Sequence, residues 1–147
     1  IGGASEMDAD FLYDYGYQLG LAFQIADDYL DTFGDAAVFG KAIGGDILCG
    51  KKTWLLTRAF EKATPEIHAE LVRDLALPVD TPEQKEARIN AVRDIYVSLG
   101  VDTDALSEIR RFSDMAIADL APLGYRDGDS RLEALKAYAD SLVGRRK

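Results

Sequence analysis

Apolar side chains recur at helical spacing through most of this chain, and no segment alternates polar and apolar positions as a half-buried strand would. The clearest run is Phe11, Leu12, Tyr15, Leu19, Ala22, Ile25, Tyr29 and Phe33, and it stops at Gly34. Ser5, with Asp8 three residues on, has the form of a capping-box start. Together these predict one helix of about 28 residues, roughly 40 Å long at 1.5 Å per residue. Residues 34–46 are glycine-rich and predict a connection, after which a second helix is expected over 50–62. Pro65 opens a short helix to Leu75. The segment from Pro78 to Pro82 is the strongest internal break, with Thr81, Pro82 and Gln84 at the N-cap, N1 and N3 of a helix that ends before Gly100. Thr103 starts another, to Ala121. After Pro122, Gly124 and Gly128, Ser130 and Glu133 cap a last helix to Val143. The pattern describes an all-α bundle of short-looped helices, without internal repeat or low-complexity tract.

Composition narrows the function classes. The 147 residues are 48% apolar and 29% charged, enough for one domain with a real core. A net charge of −9, from 17 basic and 26 acidic residues, argues against a nucleic-acid partner, whose recognition needs a basic stripe. The single Cys49 cannot form an internal disulfide and reads as inert. No apolar run reaches the length of a membrane span or of a signal-peptide core, so a cytoplasmic protein is the default. His68, alone in a charged segment, reads as a surface side chain.

The chemistry concentrates between residues 23 and 53. On a helix advancing 100° per residue, Gln24, Asp27, Asp28 and Asp31 fall at i, i+3, i+4 and i+7 and share one face. Uncompensated like charges such as Asp27 and Asp31 destabilise a helix by roughly 0.2–0.5 kcal/mol per pair. A hard cation reverses that sign: Mg²⁺ takes oxygen ligands, commonly one or two carboxylates completed by waters and phosphates. Considered alone, the three aspartates are more simply a solvated acidic face, and Lys41 and Lys51 are more simply surface lysines. The order of elements changes the balance, because the acidic face leads directly into a loop containing Gly40, Lys41, Gly45, Asp46, Lys51, Lys52 and Thr53. A carboxylate face joined to a Gly/Lys loop suits a metal-bridged diphosphate.

The residues Phe23-Gln24-Ile25-Ala26-Asp27-Asp28-Tyr29-Leu30-Asp31, then Phe39-Gly40-Lys41, then Gly45-Asp46-Ile47-Leu48-Cys49-Gly50-Lys51-Lys52-Thr53-Trp54-Leu55 resemble the second aspartate-rich region of the trans-isoprenyl diphosphate synthases, the farnesyl and geranylgeranyl diphosphate synthase family. The close resemblance runs from about Tyr15 to Leu56. It implies the all-α isoprenoid synthase fold, with residues 1–147 forming the C-terminal half of a single prenyltransferase domain. It implies a Mg²⁺-dependent transferase that condenses an allylic diphosphate with isopentenyl diphosphate to a longer trans-prenyl diphosphate of short to medium length. Asp27, Asp28 and Asp31 would hold metal, and Asp46 would support metal-bound waters or a lysine. Lys41 and Lys51 would contact the allylic diphosphate, with Asp27, Asp28, Lys41 and Lys51 forming the catalytic set. Gln24 and the terminal Arg145, Arg146 and Lys147 would bind substrate, the basic end folding over the site toward isopentenyl diphosphate. Lys52 would point elsewhere. Two local departures, Ala42 after Lys41 where many relatives have Pro, and Trp54-Leu55 in place of aromatic-Pro, bear on substrate preference more than on reaction type.

Counted back from Gln24, Gly20, Tyr17, Gly16 and Tyr13 fall near the aspartate face. Either a prenyl tail lies along this wall, or the glycines allow close helix packing. The chain opens at Ile1-Gly2-Gly3-Ala4 and holds neither a first Asp-Asp-x-x-Asp motif nor the family's upstream Lys-Thr. Its acidic pairs Asp102/Asp104 and Asp127/Asp129 have other spacings. Residues 1–147 alone are therefore expected to be inactive, and the complete protein to be a homodimer, as family members typically are. Two other classes fit the same features. A non-catalytic diphosphate-binding subunit of a heteromeric prenyl synthase would lack an upstream motif, and a class I terpene cyclase would differ in product.

Overall fold

The computed structural model describes residues 5–35, 43–125 and 130–144, and among these it is all helix and turn. Helix α1 spans Glu6–Phe33, as its apolar run predicts. The Ser5 Oγ accepts the Asp8 N–H at 3.1 Å, and the Asp8 carboxylate accepts the Ser5 N–H at 3.4 Å, so the reciprocal cap forms. Helix α2, Gly45–Cys49, is a short helix that begins in the predicted connection and ends before the next helix is expected. That next helix, α3, runs over Trp54–Lys62 and begins four residues later than expected. The reason is Thr53, whose hydroxyl accepts the Leu56 N–H at 3.1 Å and caps α3. Helix α4, Pro65–Leu75, and helix α5, Pro82–Ser98, have the expected bounds. Both carry Pro in the first turn after a Thr cap, and Thr81 with Gln84 completes a capping box. Helix α6, Val101–Leu120, starts two residues before Thr103. Two residues, Leu99 and Gly100, separate α5 from α6; Gly100 adopts φ 67°, and its carbonyl accepts the Asp104 N–H at 3.0 Å. A 3-10 turn at Ala121–Tyr125 follows, then helix α7, Ser130–Gly144.

The chain divides into two units, one of Ile1–Ala26 with Leu106–Lys147, the other of Asp27–Ala105. In the first, Tyr15, Leu19 and Ala22 of α1 pack with Ala116 and Leu120 of α6, Leu123, and Ala139 of α7. The stripe is narrower than the sequence suggests, since Leu12 is exposed while Phe11 packs against the cluster. Tyr15 donates its hydroxyl to the Leu135 carbonyl at 2.8 Å, which satisfies the polar end of a buried ring. In the second unit, α5 packs against α2, α3 and α4. Its core holds Ile47, Leu55, Ala59, Leu71, Val92, Ile95, Tyr96, Val101 and Ala105. This second unit carries the last turns of α1 and the loop that follows them.

Candidate active site

Three aspartates leave the end of α1 in different environments. Asp27 is exposed, and Asp28 and Asp31 are half-buried. The chain returns to them through Gly44, which adopts φ 83° and donates its N–H to the Asp31 backbone carbonyl at 2.6 Å. Only glycine suits that position, because a Cβ there would also stand 2.6 Å from the Ile89 side chain. Two residues on, the Asp46 N–H donates to Asp31 Oδ2 at 2.8 Å. The loop is thus fastened to α1 through both the backbone and the side chain of Asp31.

Lys51 then closes the arrangement. Its ammonium donates to Asp46 Oδ2 at 2.8 Å and to Asp28 Oδ1 at 3.1 Å. The second Asp28 oxygen accepts the Trp54 N–H at 2.8 Å, which adds to the Thr53 cap at the start of α3. Hydrogen bonds from Asp46 and then Asp28 raise the Lys51 pKa well above the ordinary lysine value, so the group stays charged. Burial raises the Asp31 carboxyl above its usual range. The carboxylates of Asp46 and Asp27 act in the same direction, while the Asp46 N–H and Lys51 oppose it. Tyr96 of α5 is buried, and burial pushes its phenol well up.

The structure thus brings together Asp28, Asp31, Asp46 and Lys51, with Asp27 exposed on the same stretch of helix. Gln24 is exposed on α1 and belongs to the first unit. Lys52 is exposed, as expected. Lys41, Arg145, Arg146 and Lys147 lie outside the described residues. His68 is exposed as expected, its ring 4.8 Å from that of Phe60, and the exposed Cys49 thiol lies 3.6 Å from the Asp46 carbonyl. One participant escapes sequence reading: the Trp54 N–H, a backbone donor that no side-chain pattern signals.

The donor set is all oxygen, which fits a hard divalent cation. Among the described residues, no three His, Cys, Asp or Glu side chains are grouped to hold a metal ion by themselves. Asp27, Asp28 and Asp31 present carboxylate oxygens of the kind Mg²⁺ takes, an ion whose remaining ligands are usually water and phosphate.

An all-helical chain with an Asp-Asp-x-x-Asp helix end fastened to a lysine loop belongs to a narrow class. Residues 1–95 match the polyprenyl synthetase family, and the chain belongs to that family. A geranylgeranyl diphosphate synthase of Saccharolobus solfataricus is 32% identical over 136 residues, covering 92% of this chain and 39% of that protein. A short chain isoprenyl diphosphate synthase of Methanothermobacter thermautotrophicus is 43% identical over 72 residues, covering 49% of this chain and 22% of that protein. The crystal structure of geranylgeranyl pyrophosphate synthase from Corynebacterium glutamicum, complexed with isoprenyl diphosphate and magnesium, has a TM-score of 0.79 at 31% identity. It covers 98% of this chain and 39% of its own. The chain thus spans well under half the length of the relatives it matches.

Proposed function

We propose that this chain supplies the second aspartate face and the diphosphate-binding lysines of a Mg²⁺-dependent prenyltransferase, which joins an allylic diphosphate to isopentenyl diphosphate to give a longer trans-prenyl diphosphate. The observation that carries this reading is the Lys51 ammonium, held at 2.8 Å by Asp46 and at 3.1 Å by Asp28 beside the exposed Asp27. Two carboxylates fix the position of Lys51 and keep it charged, and a third N–H of the ammonium is left for a phosphate oxygen. A compact cation held in place in this way stabilises the negative charge that grows on a departing diphosphate. Asp27 donates to the metal, with Asp28 and Asp31 beside it. Bound Mg²⁺ supplies the further neutralisation that the diphosphate needs to leave. Gln24 and Lys41 bind substrate, as do Arg145, Arg146 and Lys147.

The wall for the prenyl tail is Tyr13, Gly16, Tyr17 and Gly20. All four residues are exposed, and a Cβ at Gly16 or Gly20 would meet nothing within 4 Å. Among the described residues nothing fills the space beside Gly16 and Gly20, which leaves room for an apolar ligand. We place the product in the short- to medium-chain range, and the protein in the cytoplasm as a homodimer. The test is Mg²⁺-dependent binding of inorganic diphosphate, followed by calorimetry. Asp27→Ala is expected to abolish it, and unchanged binding in that variant would refute the reading.

A further inference from the structure

We propose that Arg93 of α5 is a positioning residue for the aspartate-bearing end of α1: it acts through the Phe33 ring and holds the last turns of the helix in place. The inference rests on the function proposed above for what those aspartates bind, while the contact itself stands on geometry. The Arg93 guanidinium carbon lies over the Phe33 ring, 5.5 Å from its centroid, within the range where the ring face attracts a cation. Both side chains are half-buried, which strengthens such a contact over an exposed one. Phe33 in turn packs on Tyr29, one turn back, with centroids 5.2 Å apart and ring planes at 37°. Counted at 100° per residue, Tyr29 and Phe33 fall opposite Asp27 and Asp31 on α1. The stack therefore braces the back of the turns whose front carries the carboxylates.

This helix end has reason to need a brace. The C-terminus of a helix carries partial negative charge, so carboxylates near it are unfavourable. The last turns of α1 hold Asp27, Asp28 and Asp31, and its final turn holds no basic residue. Arg93 brings a positive charge to that end from another helix, together with a planar group that stacks on the ring. One turn earlier on α5, Ile89 stands against Gly44, where a Cβ would come within 2.6 Å of its side chain. A single turn of α5 thus meets both the end of α1 and the chain that returns to it.

Loss of the charge and loss of the brace act on cation binding with opposite signs. Removing a positive charge near the carboxylates draws a cation in more strongly, whereas loosening the turn that carries them weakens its hold. Arg93→Met keeps a long apolar side chain without the charge, Phe33→Leu removes the ring without changing charge, and the double variant removes both. These are compared with the parent in two measurements. The first is amide hydrogen exchange across residues 27–33 without metal. The second is Mn²⁺ binding in the presence of inorganic diphosphate, read by electron paramagnetic resonance. Each single variant is expected to speed exchange and to weaken Mn²⁺ binding by about threefold or more, the scale of a half-buried cation–π contact. The double variant is expected to match Phe33→Leu within about twofold, because without the ring Arg93 has nothing to act through. The proposal is overturned if Arg93→Met tightens Mn²⁺ binding, as a bare charge effect predicts. It is overturned equally if that variant lowers stability to urea but leaves Mn²⁺ binding unchanged, if exchange stays at the parent rate, or if the effects of the two substitutions multiply. If the parent itself takes up no Mn²⁺ with diphosphate, the proposed function fails, and the exchange measurement still decides whether Arg93 holds the end of α1.

Discussion

Two glycines on either side of the aspartates show how differently one residue type is used. Gly44 sits at φ 83° with Ile89 against the place where a Cβ would go. Gly44→Ala should destabilise the protein by about 1–2 kcal/mol from backbone conformation alone, with the Ile89 clash in addition. Urea unfolding measures it. Gly20 lies in the middle of α1, exposed, with open space around its missing Cβ. Gly20→Ala should therefore stabilise α1 by about 0.5–1 kcal/mol through helix propensity. The opposite signs in one unfolding assay test the backbone geometry at both positions. A Gly20→Ala variant that is no more stable than the parent would mean that something outside the described residues already fills that space. The residue identities of the site were legible because the aspartates, the glycines and the lysines occur in a distinctive order. Their orientation was not. Whether Asp28 and Asp31 face outward or back onto the loop depends on where Asp46, Lys51 and Trp54 return in space, and helical periodicity is silent on that.

At the scale of elements, one ion cluster ties α3 to the start of α6. Arg58 Nε and Lys62 Nζ each reach Asp104 at 2.8 Å, and Arg58 also meets Glu61 at 3.1 Å. Hydrogen bonds from Lys62 and then Arg58 hold the Asp104 carboxyl below its ordinary value of 3.8. A folded-state pKa lower than the unfolded one means that the unfolded chain binds the proton more readily. The contribution is therefore present above pH 3.8 and lost as pH falls through the lower folded value. Asp104→Asn should lower the melting temperature at pH 7, and the gap from the parent should narrow toward pH 3. A constant gap across that range would mean that Asp104 acts through packing and not through charge. Element starts were legible at Ser5 with Asp8, at Pro65, and at Thr81 with Pro82 and Gln84. They were illegible where tertiary contacts set the boundary. Helix α2 begins where Asp31 takes the Asp46 amide, and α3 begins where Thr53 and Asp28 together take amides of its first turn. Both helix starts depend on residues more than a dozen positions upstream.

At the scale of the molecule, residues 1–147 present one Asp-Asp-x-x-Asp face. Among the described residues no three acidic side chains are grouped to hold a metal unaided. Lys51 meanwhile satisfies Asp28 and Asp46 internally, so the free energy that draws a cation to an uncompensated carboxylate cluster is already partly spent within the protein. On the proposed function, a metal here completes its shell with water and the diphosphate. The chain of 147 residues, expressed alone, should consequently bind Mg²⁺ with diphosphate weakly and give no detectable condensation of dimethylallyl with isopentenyl diphosphate. A radiolabelled-product assay with purified chain decides this, with the Mn²⁺ titration run beside it on the same preparation. Product formation by this chain would show that one aspartate face suffices for the reaction, against the expectation that these residues alone are inactive. Absence of product with weak but Asp27-dependent Mn²⁺ binding would show that Asp27 donates to metal but that the ligands on these 147 residues do not suffice to hold the reacting diphosphate.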